Sequence, residues 1–120
     1  MNMKTIVALA LLGFASPAVA HEAKGQNGGR VADAGNHHVE LVIKDATVDV
    51  YVSDHADKPV ALDGFKAVAI LAAGGKSQRI VLEQAGNKLT GKAAGALPAQ
   101  AKGVVQLGLP GGKTVNARFN

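Results

Sequence analysis

The fold is decided by residues 37–55, HHVELVIKDATVDVYVSDH. Apolar side chains occupy every second position in both halves of this stretch: Val39, Leu41 and Ile43, then Val48, Val50 and Val52. Alternation with a period of two is typical of strands with one buried face. With Asp45 and Ala46 as the turn, the two apolar sets face each other, and a slip of one residue would expose one set to water. The stretch therefore predicts a β-hairpin of fixed register.

The rest of the chain continues the pattern of short apolar segments and turns. Segment 30–34 is a candidate edge strand, and strands are expected near 68–70, 80–82, 88–92, 104–109 and 114–119. The loops between them contain glycine pairs, which supply the positive φ that tight hairpins need. A three-residue loop over 74–76 predicts the pairs Ile70–Ile80 and Val68–Leu82, and a loop over 110–112 predicts the pairs Leu107–Val115 and Val105–Ala117. Segment 93–102 is rich in alanine, but Gly95 and Pro98 interrupt it, which favours a loop. About seven short strands in one small domain predict an all-β, immunoglobulin-like antiparallel sandwich.

The first 20 residues, MNMKTIVALALLGFASPAVA, have the pattern of a secretory signal peptide. Lys4 precedes a short apolar core, and Ala18-Val19-Ala20 is a cleavage site of small residues. The sequence therefore predicts a periplasmic protein with no membrane span after cleavage. We expect a flexible N-terminal arm over residues 21–29, HEAKGQNGG, and one domain over residues 30–120.

Composition excludes several classes of function. The chain has a net charge of +4, but its basic residues are scattered, which argues against nucleic-acid binding. It has no cysteine, so it forms neither disulfides nor thiolate metal sites. Both methionines lie in the predicted signal peptide, which argues against a Cu(I) site in the mature protein.

Three of the four histidines gather at the open end of the central hairpin. The predicted register sets His37 opposite Asp54 and His38 opposite Ser53, and His55 follows directly. Imidazole and carboxylate groups together suit Cu(II), Zn(II) or Ni(II). The alternative is a polar pair between His37 and Asp54, with the other two histidines solvated. Adjacent residues on a strand point to opposite faces, so His37 and His38 share one site only if the strand bulges.

His21 is the second candidate feature for metal binding. Cleavage after Ala20 would leave it at the N-terminus, where its α-amine and its imidazole can chelate one ion together. A further imidazole from the hairpin would complete a copper site. The alternative is chance, since some residue must follow the cleavage site, and a flexible arm loses conformational entropy on binding.

No enzyme is predicted. Ser53, Asp54 and His55 include the three residue types of a hydrolase triad, but adjacent residues do not reach the triad geometry. The segment ending in Gly112-Lys113-Thr114 is similar to a phosphate-binding loop, but it lacks the first glycine and a following helix.

The exported domain with His21, HHVELVIKD, YVSDHADKPV and LPGGK resembles small bacterial periplasmic β-sandwich proteins that handle copper and other heavy metals, in outline the CopC-like and YtkA-like families. The resemblance implies an immunoglobulin-like fold and Cu(II) carriage in heavy-metal resistance or oxidase assembly. It gives His21 the role of N-terminal ligand, with His55 as the second.

These observations lead to two hypotheses. The preferred one is a non-enzymatic periplasmic metal-binding protein, a chaperone or resistance accessory. It would bind Cu(II), with Zn(II) or Ni(II) as alternatives, and deliver it to a metal-efflux or oxidase-assembly protein of the envelope. Its predicted ligands are His21, His37, His38, Asp54 and His55. The alternative is a metal-independent envelope module that docks to another protein through an exposed sheet edge or face.

Overall fold

The computed structural model describes residues 23–120, which form nine β-strands and no helix. In chain order the strands are β1 (Ala23–Lys24), β2 (Arg30–Ala34), β3 (His37–Lys44), β4 (Thr47–Asp54), β5 (Lys66–Ala73), β6 (Lys76–Ala85), β7 (Lys88–Lys92), β8 (Lys102–Gly108) and β9 (Thr114–Phe119). All neighbouring strands run antiparallel, which confirms the predicted all-β antiparallel class. This part of the chain therefore has no helix long and apolar enough to cross a membrane.

The strands form one curled sheet in the order β1-β2-β3-β4-β7-β6-β5-β8-β9. β6 belongs to both parts of it, because residues 76–82 pair with β5 and residues 83–85 pair with β7. We call β1, β2, β3, β4 and β7 the first half, and β5, β6, β8 and β9 the second half. The curl brings the ends together, since the Arg30 guanidinium lies 5.4 Å from the ring centre of Phe119.

This architecture differs from the predicted sandwich of about seven strands. There are nine strands, and they are continuous because β6 runs from one half into the other without a break. The two-residue β1 is too short for its sequence to show alternation. Both halves nevertheless pack over one apolar core, whose fully enclosed members include Val39, Val48, Val50, Leu71, Leu89, Val105, Leu107 and Phe119.

The register of the central hairpin is confirmed. Val39 pairs with Val52, Leu41 with Val50 and Ile43 with Val48, and all six side chains are buried. Asp45 begins the turn at a φ of 55°, a left-handed conformation that aspartate tolerates better than most residues. The buried alternating pattern therefore determined the pairing, as expected.

The predicted register of the second hairpin is wrong by one residue. A three-residue loop was expected to pair Ile70 with Ile80, but the loop has only two residues, and Ile80 pairs with Ala69 instead. Gly74 and Gly75 have φ values of 60° and 81°, as a two-residue turn with both central residues left-handed requires. The slip turns Val68 and Ile70 from the core to the outer face of the sheet.

The last hairpin agrees with the prediction. Leu107 pairs with Val115 and Val105 with Ala117. The alanine-rich segment before it is irregular between β7 and β8, also as predicted. Leu97 in this segment is buried, and its N–H donates to the Asp45 carbonyl, so the segment covers one end of the core.

Candidate functional site

His37 and His38 point to opposite faces of β3. The His37 ring packs edge-on against Phe65, with 5.6 Å between ring centres and 81° between planes. Its Nδ1 is buried and has no hydrogen-bond partner among the described residues. His37 therefore lies against the apolar side of the sheet, and the strand has no bulge that would bring it to His38.

Asp54 is opposite His37 in the ladder, but its carboxylate serves its own loop. Oδ1 accepts hydrogen bonds from the N–H groups of Ala56 at 2.8 Å and Lys58 at 3.0 Å. His55 is exposed on the same loop. Among the described residues, Asp54 and His55 thus belong to a surface turn, separate from the His37 ring.

The loop bonds lower the pKa of Asp54 below its ordinary value of 3.8, chiefly because the Lys58 N–H donates to the carboxylate. A lowered pKa stabilises the loop above the unfolded pKa, and this stabilisation is lost as pH falls through the folded value. We expect the amide shifts of Ala56 and Lys58 to titrate together, with a midpoint below 3.8. An NMR pH titration checks this, with Asp54→Asn as the control. A midpoint at or above 3.8 would contradict it.

His38 lies between two carboxylates on the outer face of the first half. Its Nδ1 is 2.7 Å from Asp57 Oδ1, and its Nε2 is 3.3 Å from Asp33 Oδ1. The imidazole is 26% exposed, while the Asp33 and Asp57 side chains are 81% and 72% exposed. Each ring nitrogen thus has its own acidic neighbour, and both neighbours are open to solvent.

Two strands and one loop build this cluster. Asp33 pairs with His38 across β2 and β3, so the two side chains share a face. Asp57 arrives from the loop after β4, where it adopts a φ of 64° and its N–H donates to the Asp54 carbonyl. The turn that the Asp54 carboxylate stabilises therefore places Asp57 beside the imidazole, while the ligand role of Asp54 stays a prediction.

The three residues of the cluster line a groove of about 500 Å³ on the outer face. The groove is also lined by strand residues such as Val31 and Glu40 and by the loops around Asn27 and Pro59. It thus presents both apolar side chains and carboxylates.

Glu40 is a buried carboxylate, only 6% exposed, in the centre of this face. Oε2 accepts from the N–H groups of Asn27 at 2.9 Å and Gly29 at 2.8 Å, and Oε1 accepts from Asn27 Nδ2 at 2.9 Å. A side chain at Gly25 would overlap this carboxylate. Residues 23–29 of the predicted flexible arm are thus held on the sheet, by Glu40 and by the pairing of β1 with β2.

A second buried acid, Asp49, lies further along the same face at 8% exposure. It accepts from Thr90 Oγ1 at 2.6 Å and from Lys88 Nζ at 3.2 Å. The hydrogen bond and charge of Asp49 raise the pKa of Lys88 above its ordinary value. Both carboxylate oxygens of Asp49 thus accept hydrogen bonds from side chains of β7, and these bonds join β4 to β7.

Of the predicted ligand set, His38 is the one described residue that belongs to this cluster. Residues 23–120 contain no group of three or more His, Asp or Glu side chains arranged to hold a metal ion. His21 and the predicted signal peptide lie outside the described residues. Sequence reasoning missed Asp33, although a two-residue turn at Gly35-Asn36 would have set it opposite His38. The position of Asp57 beside His38 depends on the conformation of the loop after β4, and no pattern in the sequence predicts that conformation.

The chain matches no protein-family model, and no curated protein and no solved structure is found to be similar to it. The resemblance to the CopC-like and YtkA-like families stays a prediction from sequence, and the function proposed below depends on the His38 cluster.

Proposed function

We propose that this protein is a non-enzymatic metal carrier of the bacterial periplasm that binds a divalent ion, preferably Cu(II), through His38 and Asp33. The observation that supports this is that the His38 imidazole has one carboxylate at each ring nitrogen, Asp57 at Nδ1 and Asp33 at Nε2. The proposal narrows the predicted site to the outer-face histidine. It leaves out His37, which packs on Phe65, and His55, which is on the exposed loop.

The electron pairs of His38 Nε2 and the Asp33 carboxylate favour a cation between them. When the Nδ1 proton is donated to Asp57, Nε2 turns its lone pair toward the Asp33 oxygen. Two such electron pairs repel each other unless a proton or a metal ion lies between them. A carboxylate behind a metal-binding imidazole also fixes the ring and increases its basicity, which is the role that Asp57 would have.

The separation of the two proposed ligand atoms suits a shared ion. Ligands at about 2.0–2.2 Å from a tetrahedral ion lie roughly 3.3–3.6 Å apart, and cis ligands of a square-planar ion lie roughly 2.8–3.1 Å apart. The observed Nε2–Oδ1 distance of 3.3 Å fits the first case. The Asp33 side chain is exposed, so its carboxylate has room for the small shift toward Nε2 that square-planar coordination requires. Nitrogen and oxygen ligands bind Cu(II) more tightly than Ni(II) or Zn(II), which is why Cu(II) is preferred.

His21 is the proposed third ligand. β1 pairs with β2 through Ala23 opposite Val31 and Lys24 opposite Arg30. Val31 is two residues from Asp33 in the chain, and Ala23 is two residues from the proposed ligand His21. Its imidazole, and its α-amine after cleavage at Ala20, would then complete the site.

In the cell, such a site suits the role expected from the resemblance. A periplasmic carrier would take up Cu(II), Zn(II) or Ni(II) and pass it to a metal-efflux or oxidase-assembly protein of the envelope, as part of heavy-metal resistance. Two ligands from a rigid sheet and one from the N-terminal segment would allow release when that segment moves away.

Calorimetric titration of the chain from His21 to Asn120 with Cu(II), Zn(II) and Ni(II) tests the proposal. We expect binding of one ion at about pH 7.5, and weaker binding at about pH 5.5, because a second proton on the imidazole competes with the metal. Intact mass confirms the His21 terminus before titration. No heat with any of the three ions at the higher pH would refute the proposal and favour the metal-independent module.

A further inference from the structure

The outer face of the second half carries an apolar patch that nothing in the described part of the chain covers. Val81, 56% exposed, is the only large apolar side chain among the described residues that is classed as exposed. It pairs with Val68, and in the next row Ile70 pairs with Val104. These four β-branched side chains, which we call the outer patch, are neighbours on three adjacent strands.

Basic side chains surround the outer patch. Arg79 pairs with Ile70 and Arg118 with Val104, so one row across four strands is Arg79–Ile70–Val104–Arg118. Lys66 and Lys102 lie on the same face toward its two ends, and Glu83 is the acidic residue of this face. Within residues 23–120, none of the four basic side chains forms an ion pair. Their charges are therefore free to meet those of a partner.

We infer that this face docks a protein partner that presents carboxylates around an apolar centre. The two arginines are separated by three strand spacings, which is about 14 Å. Arginine binds carboxylates through two parallel hydrogen bonds, and it is enriched in protein interfaces. The matching surface would thus place two acidic groups about 14 Å apart, with small apolar side chains between them.

The composition of the face favours a protein over a membrane surface. Side chains that insert into the membrane interface are commonly aromatic or leucine. The aromatic side chains of residues 23–120 lie elsewhere: Phe119 in the core, Phe65 beside His37, and Tyr51 in the groove of the first half. A surface of valine and isoleucine between arginines suits packing against another protein surface.

The size of the face indicates transient binding. Four strands at about 4.8 Å and six or so residues along each strand give roughly 400 Å². A stable interface buries about 800 Å² on each partner, so this surface has about half that area. Such binding fits a protein that must dissociate after each encounter.

The test uses NMR titration of the chain from His21 to Asn120 with two synthetic peptides, one alternating Asp and Val and one alternating Lys and Val. We expect the acidic peptide to shift amide signals of β5, β6, β8 and β9. The double substitution R79S/R118S should weaken its binding about tenfold at low salt, while K44S/K92S, which removes two exposed lysines of the first half, should change it less than about twofold.

Three outcomes would overturn the inference. The first is that both double variants weaken binding of the acidic peptide equally. The second is that the basic peptide binds as well as the acidic one. The third is that the acidic peptide does not bind, while binding to phosphatidylglycerol vesicles depends on Arg79 and Arg118. Because all four substituted positions are exposed, loss of folding is not expected, and the amide spectrum checks this directly. The outer patch lies on β5, β6 and β8, which are separated in the sheet from His38 on β3 by β4 and β7, so this test does not depend on metal binding.

Discussion

Replacement of His38 by alanine is expected to abolish measurable Cu(II) binding, with a loss of more than about 100-fold in affinity. Loss of an outer-shell partner alone typically costs 10–100-fold, and His38 would supply a direct ligand as well as the link to Asp57. The side chain is 26% exposed and lies on the outer face, so the fold should tolerate its removal. Calorimetric titration at about pH 7.5 measures the change.

Variants of the neighbouring residues should rank in a defined order. Asp33→Ala removes a proposed ligand and should weaken binding more than Asp57→Asn, for which we expect roughly a 10–100-fold loss. His55→Ala is the matched control, since it also deletes an exposed imidazole, and its affinity should be unchanged. If His55→Ala abolished binding and His38→Ala did not, the site would be on the loop after β4.

Replacement of Glu40 by alanine is expected to free the N-terminal segment from the sheet. The carboxylate accepts three hydrogen bonds from Asn27 and Gly29 while it is itself buried. Hydrogen bonds to a charged group contribute about 1.5–3 kcal/mol, so we expect a loss of about 2 kcal/mol in the free energy of unfolding. Hydrogen exchange should show lost protection over β1 and the following loop, with β3 and β4 little changed.

Glu83→Ala is the control for this experiment, because it removes an exposed glutamate from β6. It should change neither the free energy of unfolding nor the hydrogen exchange of β1. Under the metal proposal, Glu40→Ala also weakens Cu(II) binding, since β1, which follows the proposed ligand His21 in the chain, would no longer be held on the sheet. Unchanged exchange at residues 23–31 would show that strand pairing alone holds the segment, and that Glu40 has no such role.

The two hairpins show how far the sequence determines the fold. In β3 and β4 only one face is apolar over most of the length, so a single register buries it, and the prediction was confirmed. In β5, KAVAILAA, both faces are apolar, and alternation cannot select between them. In this hairpin the turn determines the register, because Gly74 and Gly75 both adopt positive φ and form a two-residue loop. The joining of both halves through β6 is a long-range property that local patterns do not contain.

The candidate site was predictable only where it depends on strand register. The sequence placed His37 and His38 on opposite faces, and the turn at Gly35-Asn36 contained the information that Asp33 faces His38. The positions of Asp57 and of the loop bound by Glu40 depend on hydrogen bonds between residues distant in the chain. No periodicity in the sequence reports such bonds, and for that reason the predicted cluster of three histidines overlaps the observed one only at His38.

The most direct measurement of the central claim is an NMR titration of the chain from His21 to Asn120 with Cu(II), whose unpaired electron broadens nearby signals. The proposal predicts that signals of His38, Asp33 and Asp57 disappear first, well before one equivalent is added, and that neighbouring residues such as His37 broaden less. This broadening should be lost in His38→Ala and kept in His55→Ala. Broadening centred on His55 or His37, or spread evenly over exposed carboxylates, would contradict it.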